Sequence, residues 1–133
     1  MEPKILGVLP SQAISELISK KIIFANKEIV EDQIQPASLD LRLGKVAWRV
    51  RASFLTGKNN DVSDLLNEFK MHQIDMIEGA VLEKGCVYLI PIEENLRLPA
   101  DLSAIANAKS STGRLDLLTR IITNRGTEFD RIP

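Results

Sequence analysis

The chain has 133 residues, of which 44% are hydrophobic and 26% are charged, and this balance is typical of one soluble globular domain. Its formal net charge of −1 argues against a protein that coats nucleic acid or binds a membrane surface, because such proteins normally carry a basic excess. We therefore expect no nucleic-acid and no membrane partner. A small anionic ligand needs only a local positive charge and is not excluded.

The cysteine and histidine counts argue against two further kinds of site. Cys86 is the only cysteine, so no intrachain disulfide can form, which fits a reducing compartment. His72 is the only histidine, and a zinc site normally takes at least three protein ligands. The N-terminus carries no secretory signal, and no apolar run approaches the ~20 residues that span a bilayer. The sequence thus predicts a cytoplasmic protein without zinc.

Two short helices are predicted from the spacing of apolar residues. The segment SQAISELISK at 11–20 places its apolar side chains on one helical stripe directly after Pro10. The segment DVSDLLNEF at 61–69 repeats this pattern behind Asp61, a good N-cap residue.

Most of the remaining chain has the pattern of strands. SLDLRL at 38–43 alternates leucine with polar residues and breaks at Gly44, and VAWRV at 46–50 gives a second strand. CVYLIPI at 86–92 is a continuous apolar run, which favours a strand covered on both faces. Several short strands without a repeating strand–helix alternation favour a barrel or sandwich with small helices attached.

Several side chains in these strands have structural interpretations. Asp40 and Arg42 lie two residues apart, so we expect them to be neighbours on one face, most simply an exposed polar face. We expect Trp48 and Tyr88 in the core. His72 is expected at a strand edge, and no role is assigned to it.

The segment AKSSTGR holds the most suggestive cluster of polar groups. Hydroxyls and free backbone N–H groups at a helical turn can form an anion pocket, glycine allows close approach, and two cations add charge-assisted hydrogen bonds. The competing interpretation is a capped surface turn, with Ser111 or Thr112 capping a short helix over GRLDLL. The sequence has no Walker A motif. The candidate residues are Lys109, Ser110, Ser111, Thr112, Gly113 and Arg114.

The segment TRIITNRGTEFDR at 119–131 is rich in charge, and it can be a surface loop or an oligomer interface. Glu128 is not assigned as a general base, because nothing around it in the sequence indicates burial. The chain ends in turn-like residues without a strand that would close a sheet. We therefore expect residues 1–133 to be the N-terminal part of a single domain that continues further.

These segments together resemble the dCTP deaminases of the dUTPase-like superfamily, most closely their longer bacterial form. The resemblance implies a mainly β fold, a distorted β-barrel incomplete at its C-terminus, with short N-terminal and peripheral helices. It also implies a homotrimer with nucleotide sites between subunits. The matching segments are GVLPSQAI at 7–14, QIQPASLDLRLG at 33–44, VRASF at 50–54, GCVYLIP at 85–91 and ANAKSSTGRLDLLTRIITNRGTEFDRIP at 106–133.

The resemblance also implies roles for the residues of the turn. The stretch Lys109–Arg114 would hold the triphosphate and line the active site, with Lys109 standing where the family often has arginine. Ser110 and Ser111 match paired serines that bind phosphate and help to position the attacking water. Arg114 matches an arginine that supports the catalytic carboxylate and this water.

Further site residues are implied downstream. Thr123 or Asn124 falls near the segment whose backbone contacts the cytosine, and Arg131 corresponds to another arginine lining the site, beyond the inserted GTEFD. The family's general-base glutamate lies on a strand that would follow Pro133. We therefore expect the 133-residue chain to lack its own base and to be inactive by itself.

The implied reaction is hydrolytic deamination of dCTP to dUTP and ammonia, without a catalytic metal and with Mg²⁺ only as the counter-ion of the triphosphate. The partners implied are dCTP and dUTP, with dTTP left open as a regulator. One alternative is a bifunctional dCTP deaminase and dUTP diphosphatase that makes dUMP. Another is a non-catalytic module for nucleotide binding or oligomerisation.

Overall fold

The computed structural model describes residues 6–132, which form short helices and strands in two compact units. One unit comprises the described chain up to Gly44 together with Pro91–Arg97, and the other comprises Lys45–Ile90 together with the described chain from Leu98 onward. The helices are α1 (Ser11–Ser19), α2 (Val62–Phe69) and α3 (Ser110–Arg114), with a 3₁₀ turn at Glu31–Gln33. The strands are β1 (Ile23–Ala25), β2 (Val46–Val50), β3 (Lys70–Asp75), β4 (Val87–Leu89), β5 (Glu94–Leu96), β6 (Ala104–Ile105) and β7 (Arg131–Ile132).

The first unit is built on α1 and a two-stranded antiparallel sheet of β1 and β5. The helix begins at Ser11 as predicted, and its buried residue is Ile14. Ile23 of β1 is also buried and pairs with Leu96. Cation–π contact adds to this sheet, since the Arg97 guanidinium lies 4.9 Å from the centre of the Phe24 ring.

The strand predicted over residues 38–43 is wrong, because this segment makes only single bridges, from Leu39 to Ile34 and from Leu43 to Ile92. Alternation of apolar and polar residues indicates an extended chain, but a strand also needs a neighbour in register, which the sequence pattern does not supply. The segment ends where predicted, at Gly44, whose N–H donates to the Pro91 carbonyl at 2.7 Å. A Cβ at Gly44 would lie 2.9 Å from that oxygen, so the close approach requires glycine.

The second unit contains a three-stranded antiparallel sheet in the order β3-β2-β4. Ala47 and Val50 of the central strand are buried, and a register shift between Arg49 and Val50 interrupts the simple alternation. Trp48 and Tyr88, expected in the core, are only half-buried. The small side chain of Ala47 is completely buried.

The expectation that the run at 86–92 is covered on both faces is also wrong for the described residues. Strand β4 pairs along one edge with β2, and Val87 is 43% exposed. A continuous apolar run predicts that its side chains avoid water, but it does not say which part of the molecule covers them.

Strand β3 follows α2 without a break. Asp61 occupies the N-cap position of α2 as predicted, and its N–H donates to the Asp64 carboxylate at 2.9 Å. His72 lies on β3, which is an edge strand of the sheet, so its expected placement is confirmed. The Phe54 and Phe69 rings stack with their centres 5.1 Å apart.

The mainly β class with short helices is confirmed. Within residues 6–132 the strands form three separate antiparallel sheets, of which the last pairs β6 with β7, and none of them closes on itself. This arrangement is consistent with part of a dUTPase-like fold. That residues 1–133 form one domain remains a prediction.

Candidate functional site

The hydroxyl-rich turn folds as α3, a single helical turn with Lys109 as its N-cap. The Gly113 N–H donates to the Lys109 carbonyl at 3.1 Å and closes the turn. Ser111 and Thr112 therefore lie inside the helix, and the prediction that one of them caps a helix over GRLDLL is wrong. The physical reason lies in the next residues: Asp116 has a φ of 61°, in the left-handed region, so the chain leaves the helical path there.

The polar groups of this turn face solvent. Thr112 is half-buried, and the other five residues from Lys109 to Arg114 are exposed. The leucines that follow are exposed as well, Leu118 by 88%. Three hydroxyls and two cationic side chains on one exposed turn can donate hydrogen bonds to an anion such as a phosphate group. That the turn binds phosphate stays a prediction.

The second predicted segment forms a tight turn from Thr123 to Gly126, in which the Gly126 N–H donates to the Thr123 carbonyl at 3.2 Å. The buried side chain of Thr56 contacts both ends of this turn. Its hydroxyl donates to the Thr123 carbonyl at 2.6 Å and accepts from the Gly126 N–H at 2.8 Å. The Gly57 N–H adds a bond to the Gly126 carbonyl at 2.8 Å. These hydrogen bonds thus join the segment that contains Thr56 and Gly57 to the turn from Thr123 to Gly126.

The middle of the turn is fixed by further bonds. The Asn124 side-chain oxygen accepts from the Val62 N–H at 2.7 Å, at the start of α2. The Arg125 N–H donates to the Asn60 carbonyl at 2.9 Å. The Asn124 side chain therefore has a structural partner, and the cytosine contact that the resemblance implies for the backbone near Thr123 and Asn124 stays a prediction.

The same turn borders a cavity of about 360 Å³. Three of its lining residues are cationic: Lys58, Arg125 and Arg131. Arg131 was predicted as a site residue, and its guanidinium lies 3.2 Å from the Glu128 carboxylate. The Glu128 side chain is 60% exposed, so the structure offers no burial that would suit it to act as a general base. Glu128 lines the cavity as well, so its lining carries three cationic side chains and one carboxylate.

Lys58, Arg125 and Thr56 were not among the site residues predicted from the sequence. Each lies in a segment with a recognisable turn composition, TGKNND for Lys58 and TNRG for Arg125. What the sequence could not show is that these turns meet, since Thr56 and Gly126 are 70 positions apart. Among residues 6–132, the lining of the cavity includes no residue of α3.

Between residues 6 and 132, no group of three or more His, Cys, Asp or Glu side chains is arranged to hold a metal ion. In the same range, no helix has the length and apolar character needed to cross a membrane.

Comparison with known proteins identifies the fold of this chain and the family to which it belongs. The chain superposes with a TM-score of 0.92 on the crystal structure of 2'-deoxycytidine 5'-triphosphate deaminase from Agrobacterium tumefaciens, at 54% sequence identity over 96% of this chain and 37% of that one. The fold is thus of the dUTPase-like class. The family described as 2'-deoxycytidine 5'-triphosphate deaminase (DCD) N-terminal domain matches residues 5–133, and the chain belongs to this family.

Two curated relatives carry a more specific name. A protein of Persephonella marina named "dCTP deaminase, dUMP-forming" is 34% identical over 83% of this chain and 59% of its own length. A protein of the same name from Methanobrevibacter smithii is 27% identical over 87% of this chain and 60% of its own length. The chain thus spans about three-fifths of these relatives and little more than a third of the solved structure.

Proposed function

We propose that the protein carrying this chain removes the 4-amino group of dCTP by hydrolysis. The observation that carries the proposal is the match of residues 5–133 to the deaminase family. The exposure of the Lys109–Arg114 turn supports it, because the polar groups of this turn are accessible to a substrate. Ser110 and Arg114 would act at the reacting centre, and the turn as a whole would bind the triphosphate. The general base would come from outside the 133 residues.

The product distinguishes two forms of this proposal. The curated relatives are named as dUMP-forming enzymes, which favours the bifunctional form that releases ammonia and pyrophosphate and leaves dUMP. The name of the Agrobacterium tumefaciens structure specifies only the deaminase, which is compatible with dUTP as the product. We favour dUMP, because both curated relatives named above carry that description.

The proposal extends to the assembly and the substrate complex. Sites between the subunits of a homotrimer would supply groups that a single chain lacks. The substrate would be the magnesium complex of dCTP, with the ion held by phosphate oxygens and water, since Mg²⁺ keeps much of its hydration shell in such complexes. We also propose that dTTP regulates the activity by feedback. The proposed location is the cytoplasm, where the nucleotide pool is found.

The test is a product analysis on the full-length protein and on residues 1–133 side by side. Ammonia with dUMP and pyrophosphate supports the bifunctional form, and ammonia with dUTP supports the simple deaminase. Binding of dCTP without turnover by the full-length protein would favour a non-catalytic module. Turnover by residues 1–133 alone would contradict the expectation that the base lies elsewhere.

Variants test the assigned residues. We expect Ser110→Ala and Arg114→Ala to lower kcat by at least about a hundredfold, as the removal of one group that stabilises a transition state commonly does. Matched controls are Ser63→Ala, an exposed serine on α2, and Arg49→Ala, whose guanidinium lies 3.4 Å from Glu83 in the three-stranded sheet. Equal losses in the test and control variants would contradict the assignment.

A further inference from the structure

One buried hydroxyl holds the Thr123–Gly126 turn at both ends. Thr56 is 3% exposed, and its Oγ1 lies 2.6 Å from the Thr123 carbonyl oxygen and 2.8 Å from the Gly126 nitrogen. A hydroxyl can donate one bond and accept others at the same time, so Thr56 satisfies the first carbonyl and the last N–H of the turn together. Valine has nearly the same shape and can make neither bond.

The turn that Thr56 holds has a backbone that most residues avoid. Arg125 has a φ of 57°, in the left-handed region that glycine and asparagine adopt more easily. Such a conformation persists where the surrounding bonds determine it, and these residues tend to cluster at ligand sites. Here the bonds come from Asn60, through the Arg125 N–H, and from Thr56 through Gly126.

The turn also has little space in which to relax. A Cβ at Gly126 would lie 2.5 Å from the Thr123 hydroxyl, so the two ends of the turn are in contact. The Thr123 hydroxyl itself is buried and has no hydrogen-bond partner within the described chain. The two bonds of the Thr56 hydroxyl thus act beside those made by Asn124 and Arg125, and they are the ones that reach both ends of the turn.

We propose that Thr56 is a positioning residue, whose hydroxyl sets the shape of the Thr123–Gly126 turn and thereby the placement of Arg125 at the cavity that Lys58 and Arg131 also line. The inference rests on the proposed function, because the turn is taken to meet the nucleotide. Thr56 does not line the cavity, whereas Arg125 and Gly126 do. Its effect on the substrate passes through the turn and not through contact.

The experiment compares Thr56→Val with Thr56→Ser in the full-length protein, with dCTP as the substrate. Thr56→Val keeps the volume and removes both hydrogen bonds, and Thr56→Ser keeps the hydroxyl. We expect Thr56→Val to lower kcat/KM by about tenfold or more, mainly through a higher KM, because the turn contributes binding that is similar in the ground and transition states. Thr56→Ser should stay within about threefold of the wild type.

A destabilised control separates positioning from general damage to the fold. Gln33→Leu removes a buried side chain that donates to Glu94 at 2.8 Å, in the unit that does not contain the turn. Assayed below its unfolding temperature, this variant should keep the wild-type KM. Hydrogen exchange at the Gly126 amide should be faster in Thr56→Val than in Gln33→Leu or the wild type.

The outcomes separate the inference from the function on which it rests. A raised KM in Thr56→Val with recovery in Thr56→Ser supports positioning. A wild-type KM in Thr56→Val, or an equal rise of KM in Gln33→Leu, overturns it while the deaminase assignment stands. If the wild type neither binds nor deaminates dCTP, the proposed function fails and the inference falls with it.

Discussion

At the scale of single residues, the buried Glu94 carboxylate accepts hydrogen bonds from two residues far away along the chain. Its side chain is 1% exposed, and it accepts from the Arg42 side chain and from Gln33, both at 2.8 Å, and from the Arg42 N–H at 3.0 Å. The Arg42 guanidinium also donates to the carbonyls of Lys27 and Glu28. The expectation that Asp40 and Arg42 lie on an exposed polar face is wrong, because both residues are half-buried and Arg42 binds a carboxylate 52 positions away.

This arrangement predicts a dependence of stability on pH. Burial alone would raise the pKa of Glu94, but hydrogen bonds from Arg42 and Gln33 outweigh burial and hold the pKa below its ordinary value of 4.5. A carboxyl group with a lowered pKa stabilises the fold above about pH 4.5, and this contribution is lost as the pH falls through the folded-state pKa. In Glu94→Gln, we expect the free energy of unfolding at neutral pH to fall by about 1–3 kcal/mol and its acid dependence to flatten. Denaturant titrations at several pH values measure both effects.

The control for this prediction is Glu83→Gln. The Glu83 side chain is 65% exposed and lies 3.4 Å from Arg49, so we expect its loss to cost less than about 1 kcal/mol. Equal losses in the two variants would mean that burial of Glu94 does not matter.

Gly126 gives a second prediction at this scale. In Gly126→Ala, the new Cβ would lie 2.5 Å from the Thr123 hydroxyl and 3.1 Å from its carbonyl oxygen. We expect a loss of about 1–3 kcal/mol in the free energy of unfolding, since overpacking of this size forces the backbone to shift. Thermal or chemical unfolding measures it.

The matched variant is Gly113→Ala, where a Cβ meets nothing within 4 Å. Alanine at this helical position should leave stability unchanged or raise it by up to about 1 kcal/mol. A destabilisation of Gly113→Ala as large as that of Gly126→Ala would contradict the steric explanation.

At the scale of elements, the start of α2 is secured by Asp64. The Asp61 N–H donates to its carboxylate at 2.9 Å, which satisfies a group at the helix start that would otherwise lack a partner. We expect Asp64→Ala to lower stability by about 1 kcal/mol. Glu68→Ala, an exposed position in the last turn of the same helix, should stay within about 0.5 kcal/mol of the wild type. Helix-sensitive circular dichroism during unfolding compares them, and equal stabilities would contradict a capping role.

At the scale of the whole molecule, large apolar side chains remain exposed in residues 6–132. Leu118 is 88% exposed, Val81 is 87% exposed and Leu6 is 84% exposed. Since exposed apolar surface favours association, we expect residues 1–133, expressed alone, to self-associate as concentration rises. Sedimentation velocity should show this, and Leu118→Lys with Val81→Lys should reduce it. A monomer at all concentrations would contradict the expectation.

Prediction from sequence succeeded where the relevant interactions are local. α1 and the start of α2 were correct, because the spacing of apolar residues and the capping residue lie within a few positions of each other. The strand over residues 38–43 was wrong, because its pattern is compatible with an extended chain that has no continuous partner. The burial of Trp48 was overestimated, because a strand pattern shows which residues are apolar but not how completely other segments of the chain cover them.

The sequence by itself determined the mainly β class, the family and the position of the Lys109–Arg114 turn, because these depend on residue types at fixed spacings along the chain. Only the tertiary structure decided that Arg42 pairs with Glu94, that Thr56 fastens the Thr123–Gly126 turn, and that Lys58 and Arg125 line one cavity with Arg131. The physical reason is distance along the chain. These contacts join segments about 50 to 70 positions apart, and no local pattern of hydrophobicity or charge specifies which distant segments will meet.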